Sequence, residues 1–312
     1  MLKGIFLVFF GACSFGILST FVKLAYHDGY TLGDVTGAQA FFGAVILWVL
    51  FLLQSRTTTY KAKPIKLITP WWKMVLAGTC TGLVSVFYYQ CVKLVPNSLA
   101  IILLMQFIWM SILLEFIIYK KKPTGLQLSS VLLVLSGTIL ASGMAETSVS
   151  SLNPIGIGFG FLAAISYACF LLLSGKIGNE YPPLKKSALM ISGACIFIFI
   201  LFPPSFIYNG ALNGSLLKWG LIIAIFGTVI PPLFYAEGVP RIGTALSSIL
   251  SAAELPVAVM MAGFVLQEQV SLLRWIGVCV ILSAMLLPNM TYLNQKIFNR
   301  NARGDNAQKT QS

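Results

Sequence analysis

The stretch Leu246–Phe264, LSSILSAAELPVAVMMAGF, sets Glu254 and Pro256 in the middle of an otherwise apolar run. About twenty residues is the length a helix needs to cross the ~30 Å hydrocarbon core of a bilayer. A carboxylate at that depth costs about 2.5–3.5 kcal/mol on insertion scales. A proline removes one backbone hydrogen bond. A span carrying both must turn them away from lipid. The spacing does so: Thr244, Ser247, Ser251 and Glu254 recur at helical intervals and form one polar stripe on an apolar helix. The stripe is expected to face the protein interior or a wet cavity. Pro256 is expected to strip the donor from the carbonyl of Ala252 and so make a polar notch beside Glu254. That notch either binds substrate or a proton, or it is structural, with Glu254 bonding a neighbouring helix and Pro256 shaping a kink.

The rest of the chain has the same character. Of 312 residues, 57% are hydrophobic and only 10% charged, too little charge to cover a soluble protein of this size. Apolar runs of spanning length predict ten helices: 2–26, 34–53, 71–92, 97–119, 127–145, 154–177, 184–207, 216–237, 242–266 and 272–290. The expected fold class is an all-α integral membrane protein.

The formal charge of +12 suggests nucleic acid until its placement is considered. With the N-terminus in the cytoplasm, only Lys23, Lys93, Lys218 and Arg274 fall at outer ends. The other 17 of the 21 Lys and Arg residues fall inside. Both termini are therefore expected in the cytoplasm of a cell that carries the protein in its cytoplasmic membrane. The opening MLKGIFLVFFGACSFG resembles a signal peptide, but its apolar run continues to Tyr26 and reads as an uncleaved first helix. The six cysteines lie inside apolar runs without a CxxC pair, and His27 is the lone histidine, so no metal, disulfide or cofactor is expected. Residues 291–312 read as a polar, disordered cytoplasmic tail.

The chain repeats. A shift of 152 brings Gly4, Ile5, Phe9, Ala12 and Ser14 onto Gly156, Ile157, Phe161, Ala164 and Ser166. A shift of 146 brings Tyr89, Leu104, Val134 and Leu140 onto Tyr235, Leu250, Val280 and Leu286. Five helices per half is an odd number, so halves 2–145 and 154–290 are expected to enter the membrane from opposite sides as an inverted repeat. Lys120, Lys121 and Lys122 then correspond to Leu266, Gln267 and Glu268, which loses the positive charge on a loop that moves outside. The second half resembles the EamA repeat of the drug/metabolite transporter superfamily: a small-residue helix, central Glu254 and Pro256, Leu266 and Glu268 as Leu-x-Glu, and Gly277 in the last helix. Leu255 separates Glu254 from Pro256 where the family often has them adjacent. Lys122 stands where the first repeat often has Glu, and Gln39 where the second helix often has Arg. The resemblance implies ten helices and transport of small organic solutes, often amino acids or other metabolites and frequently outward.

Candidate site residues follow from intramembrane polarity. Gln106 and Trp109 share a helix face, and Trp109 lies too deep for an interfacial belt; it either walls a cavity or packs the core. Ser14 and its repeat partner Ser166, with Tyr167, are site candidates or self-satisfied hydroxyls. Tyr89 and Tyr235, related by the repeat, are expected to flank a cavity or to pack. Ser251 and Glu254 complete the substrate-binding set, with Glu254 as the coupling candidate. Pro231 and Pro232, expected to free the carbonyls of Gly227 and Thr228, are gating candidates with Pro256, or static bends. Glu115 is expected to pair with Lys120, and Glu237 with Arg241.

The expected function is a secondary transporter working by alternating access on a small metabolite, an amino acid or similar zwitterion first, with protons as a possible coupling ion and the lipid bilayer as its solvent. No Walker motif is present, so ATP does not drive it directly. A membrane sensor or scaffold is the alternative, and an intramembrane enzyme a further one that lacks clustered ligands or a histidine at depth. Monomer and homodimer are both open.

Overall fold

A computed structural model describes residues 1–57, 68–144 and 153–288. Its helices are α1 (Leu2–His27), α2 (Leu32–Thr57), α3 (Trp71–Leu94), α4 (Asn97–Met105), α5 (Phe107–Tyr119), α6 (Gly125–Ala141), α7 (Pro154–Lys176), α8 (Pro183–Leu201), α9 (Leu216–Ala224), α10 (Ile230–Ile242), α11 (Thr244–Ser251), α12 (Glu254–Phe264) and α13 (Leu272–Pro288). No strand occurs among the described residues. Among the described residues eight helical segments are long and apolar enough to cross a membrane, and α6 and α13 are shorter apolar helices. The expected tail, residues 291–312, lies outside the described residues.

Three spans are not single helices, and each break has a local cause. The chain from Leu216 to Ile242 passes through a π turn, Ile225–Val229, between α9 and α10. Proline at 231 and 232 supplies no N–H. In the widened register the N–H of Ile230 reaches the carbonyl of Ile225. The carbonyl left open by Pro231 is therefore that of Phe226, and the Ser14 hydroxyl donates to it at 2.7 Å. The expected orphan carbonyls at Gly227 and Thr228 assumed an unbroken α register, which the π turn replaces.

The ninth expected helix breaks at Ala252–Ala253 into α11 and α12. Tight bonds close the break: Ala252 N–H to Ile249 O, Ala253 N–H to Leu250 O and Leu255 N–H to Ala252 O, each 3.2 Å. Pro256 forces this, because its ring clashes with the carbonyl four residues back. The carbonyl of Ala252 therefore accepts from Leu255 and is not the free acceptor the sequence predicts. The fourth expected helix breaks at Gln106 without any proline. Gln106 N–H bonds Leu103 O at 3.2 Å, and its side-chain amide donates to Ile102 O at 2.9 Å.

Packing is governed by close crossings. α3 lies against both α7 and α8, α1 against α10 and α12, α2 against α8 and α9, and α5 against α7 and α11. At the α3–α8 crossing the glycines are reciprocal. A Cβ on Gly78 would collide with the backbone carbonyl of Met190, and one on Gly193 with that of Val75. Only hydrogen at both positions permits the approach. α13 packs on α6 through Gly277 and Gly137. The outer faces carry exposed Phe6, Phe10, Leu132, Ile155, Ile200 and Leu272, as lipid solvation requires. Lys186, counted with the cytoplasmic charges, is 1% exposed inside α8; its ammonium donates to Ser174 O at 2.6 Å and to Asn179 Oδ1 at 2.8 Å.

Candidate functional site

Glu254 opens α12 halfway along the span Thr244–Phe264. Its placement depends on Gly16 of α1, where a Cβ would collide with the Glu254 carbonyl and with Val257. The close approach puts the carboxyl into a cavity of about 190 Å³. α1 contributes Phe15, Ser19, Lys23 and Tyr26 to its wall, α2 Gln39, α3 Thr81, Ser85, Tyr88 and Tyr89, α7 Tyr167 and Phe170, and α12 Glu254 and Ala258. The cavity extends to Lys23, Glu268 and Arg274 at its mouth.

The polar atoms around this cavity are unusual in lacking partners. Six buried side-chain oxygens among the described residues have none, and four of them belong to cavity residues: Tyr26 Oη, Gln39 Oε1, Thr81 Oγ1 and Glu254 Oε2. Buried polar atoms are nearly always bonded, and leaving one unmade costs about 1–3 kcal/mol. Four orphans carried by residues of one cavity wall mark a wall that a polar guest or water can complete when it shifts to expose them.

The opposite end of the cavity is sealed. Tyr167 Oη lies 3.4 Å from Tyr235 Oη, and Tyr235 Oη lies 3.0 Å from Ser251 Oγ. Ser251 in turn donates to Ser247 O at 2.8 Å. Phe107 stacks on Tyr167 with ring centroids 4.2 Å apart, and Phe15 meets Tyr167 and Tyr235 edge-on. Beyond this aromatic floor, Glu115 is 3% exposed and accepts the Ala245 N–H of α11 at 3.1 Å. Lys121, not the expected Lys120, pairs with Glu115 at 3.3 Å. Glu237 holds the expected Arg241 and also Lys3, each at 2.7 Å. At the open end, Lys23 pairs with Glu268 at 3.3 Å across the mouth, and Arg274 Nε donates to the carbonyl of Ala141 at 3.1 Å.

Of the residues singled out from sequence, the cavity gathers Tyr89, Tyr167 and Glu254. Tyr235 and Ser251 sit behind Tyr167 in the hydroxyl chain. The stripe Thr244, Ser247 and Ser251 is fully buried, as its spacing predicts. Ser14 is spent on Phe226 O, and Ser166 on Leu162 O at 2.7 Å. Gln106 and Trp109 lie outside the cavity lining. The Trp109 indole donates to Gln106 Oε1 at 2.8 Å, and its ring is 36% exposed on the outer surface. Pro256 shapes the break beside the cavity, and Pro231 and Pro232 shape the π turn that sets Gly227 against Gln39.

Sequence reading passed over Tyr26 and Thr81, and it met Gln39 only as a departure from a motif. A signal for Gln39 exists: it is a lone amide in the middle of an apolar helix, and it is 5% exposed. Thr81 and Tyr26 carry no comparable mark, since a hydroxyl in a membrane helix most often bonds its own backbone.

Comparison with known proteins bears on this arrangement. The model of the EamA-like transporter family matches the chain twice, over residues 2–143 and 154–290. The uncharacterized transporter YcbK of Bacillus subtilis (strain 168) is 25% identical over 280 residues, covering 88% of each chain. The uncharacterized transporter sll1319 of Synechocystis is 22% identical over 224 residues, covering 70% of this chain and 66% of that protein. A crystal structure of a protein with 16% sequence identity superposes with a TM-score of 0.72, covering 91% of this chain and 97% of its own, which speaks to the fold alone. With two matches that together span nearly its whole length, the chain belongs to the EamA-like transporter family.

Proposed function

We propose that the protein is a secondary transporter that moves a small organic metabolite across the cytoplasmic membrane by alternating access, in the direction of export. Amino acids and similar zwitterions are the class the family resemblance points to. The carrying observation is the cavity around Glu254, open at one end, sealed at the other, and lined by four residues whose polar atoms lack partners. A multi-pass membrane protein of a transporter family needs such a space, and a scaffold does not.

The proposed architecture is ten spans arranged as two inverted five-helix halves. Three pairs of local features support it. The helix break at Gln106 falls 146 residues before the one at Ala252. Among the described residues two non-glycines have positive φ, Lys120 at 54° just after α5 and Gln267 at 55° three residues after α12, within one residue of the repeat spacing. Thr124 caps α6 by accepting from Gln127 N–H, and Ser271 accepts from Arg274 N–H at the start of α13. With both termini in the cytoplasm, the mouth at Lys23 and Glu268 faces outward and the Glu115–Ala245 contact closes the inner side.

Glu254 is the proposed coupling residue, alternating between proton and solute. Reconstitution in liposomes tests the reading. Uptake or release of labelled metabolites across a pH gradient is expected for the native protein, and Glu254→Gln is expected to abolish the response to the gradient. An unchanged response removes Glu254 as the proton carrier. Absence of flux for every solute, with a partner protein captured instead, favours the scaffold reading.

A further inference from the structure

The charge pattern of the cavity narrows the solute. At depth Glu254 Oε2 and Gln39 Oε1 lack donors and Thr81 adds a hydroxyl that either gives or takes a hydrogen bond, while Tyr26 lies one turn beyond Lys23 on α1, toward the mouth. No Lys, Arg or His among the described lining residues lies at the level of Glu254; the lining cations are Lys23 and Arg274 at the mouth. Helix geometry gives the separation. Gly16 packs on the Glu254 carbonyl, and Lys23 lies seven residues further along α1, so about 10 Å separates the level of Glu254 from that of Lys23. Lys23 is moreover engaged by Glu268. Arg274 Nε is engaged by the carbonyl of Ala141.

The aromatic lining fits the same guest. Tyr88, Tyr89 and Tyr167 line the cavity together with Glu254. Phe15, Tyr26 and Phe170 complete an apolar wall. Ring faces attract an ammonium group, more strongly when it is desolvated. The volume, about 190 Å³, lies below the range of drug-sized pockets, so the body of the guest is small.

We infer that the solute is a primary amine with a small apolar or aromatic body, bound with its ammonium group on Glu254, Gln39 and Thr81 and without a carboxylate beside the amino group. This rests on the transporter reading and replaces the amino-acid class with that of amines. An α-amino acid carries both charges on one carbon. Seating its ammonium on Glu254 therefore buries its carboxylate among acceptor oxygens, far from either cation, where like charge and desolvation both oppose it.

Matched sets of compounds test this on the full chain in lipid nanodiscs: phenethylamine, phenylalanine and 3-phenylpropanoate, and pentylamine, norleucine and hexanoate. Calorimetric titration is expected to show at least one amine binding about tenfold or more tighter than its amino acid, the range of one charged hydrogen bond, with no binding of either acid. Glu254→Gln is expected to weaken the amine by a similar factor at unchanged thermal midpoint, and Thr81→Ala by a smaller one. Should Glu254→Gln fold poorly, Gln39→Leu and Thr81→Ala carry the test. An amino acid bound as tightly as its amine overturns the inference, and so does an absence of binding by both amines. Flux of the same compounds in liposomes separates the two readings. Amine binding without flux defeats the transporter and leaves the binding class standing. Amino acid flux without amine flux defeats the amine class and leaves the transporter standing.

Discussion

Two spans of this molecule break partway, and they use the break differently. Between α4 and α5 the chain turns at Gln106, whose amide is consumed by Ile102 O and by the Trp109 indole on the outer surface. Between α11 and α12 it turns at Ala252–Ala253, and the next residue, Glu254, leaves an oxygen unpaired inside a cavity. The first break satisfies its own polar groups; the second leaves one unsatisfied in a cavity wall. A broken helix is thus a backbone device. Whether it serves chemistry depends on what its first side chain meets.

Exchanging polarity at the two breaks gives the largest contrast. Glu254→Gln is expected to reduce liposome flux at least about tenfold, whereas Gln106→Leu, which forfeits bonds worth about 1 kcal/mol at a half-buried site, is expected to leave flux within about twofold. Equal losses in both would erase the distinction. Helix approach supplies the next test. Gly16→Ala drives a methyl into the Glu254 backbone and is expected to cost about 3 kcal/mol, while Gly263→Ala meets only a methyl of the Val270 side chain and is expected to cost about 1 kcal/mol. Denaturation midpoints in detergent check the order. The smallest expected effect concerns the π turn. Ser14→Ala leaves Phe226 O without its donor and is expected to cost about 1 kcal/mol, restored by Ser14→Thr, with flux retained. A loss of flux without loss of stability would give Ser14 the binding role its position in the repeat first suggests.

Much of the fold was legible because membrane helices announce themselves by length and polarity. The stripe Thr244, Ser247 and Ser251 announced a buried polar row, and the structure buries it along with the rest of α11, while Glu254 is half-buried. The interruptions were harder. Pro231 and Pro232 signalled trouble, but a π turn moves the orphan carbonyl by one residue, and sequence spacing assumed an α register. Gln106 breaks its helix with no proline to warn of it. The seventh expected span stops at Leu201, short of Ile207, because Pro203 and Pro204 follow. The site was less legible than the fold. Glu254 stood out because a buried carboxylate is costly. Trp109 stood out for its depth, yet a depth in sequence does not say which way a ring points, and this one points outward. Thr81 and Tyr26 matter through a partner they lack, and a missing hydrogen bond is a property of three-dimensional neighbours.

The reciprocal glycines Gly78 and Gly193 carry a mechanical consequence. They lock α3 of the first half to α8 of the second, backbone against backbone, with no side chain between them to tilt or slide. A joint that tight resists shear but tolerates rotation about the line of contact. It therefore confines any relative movement of these two helices to turning about that contact.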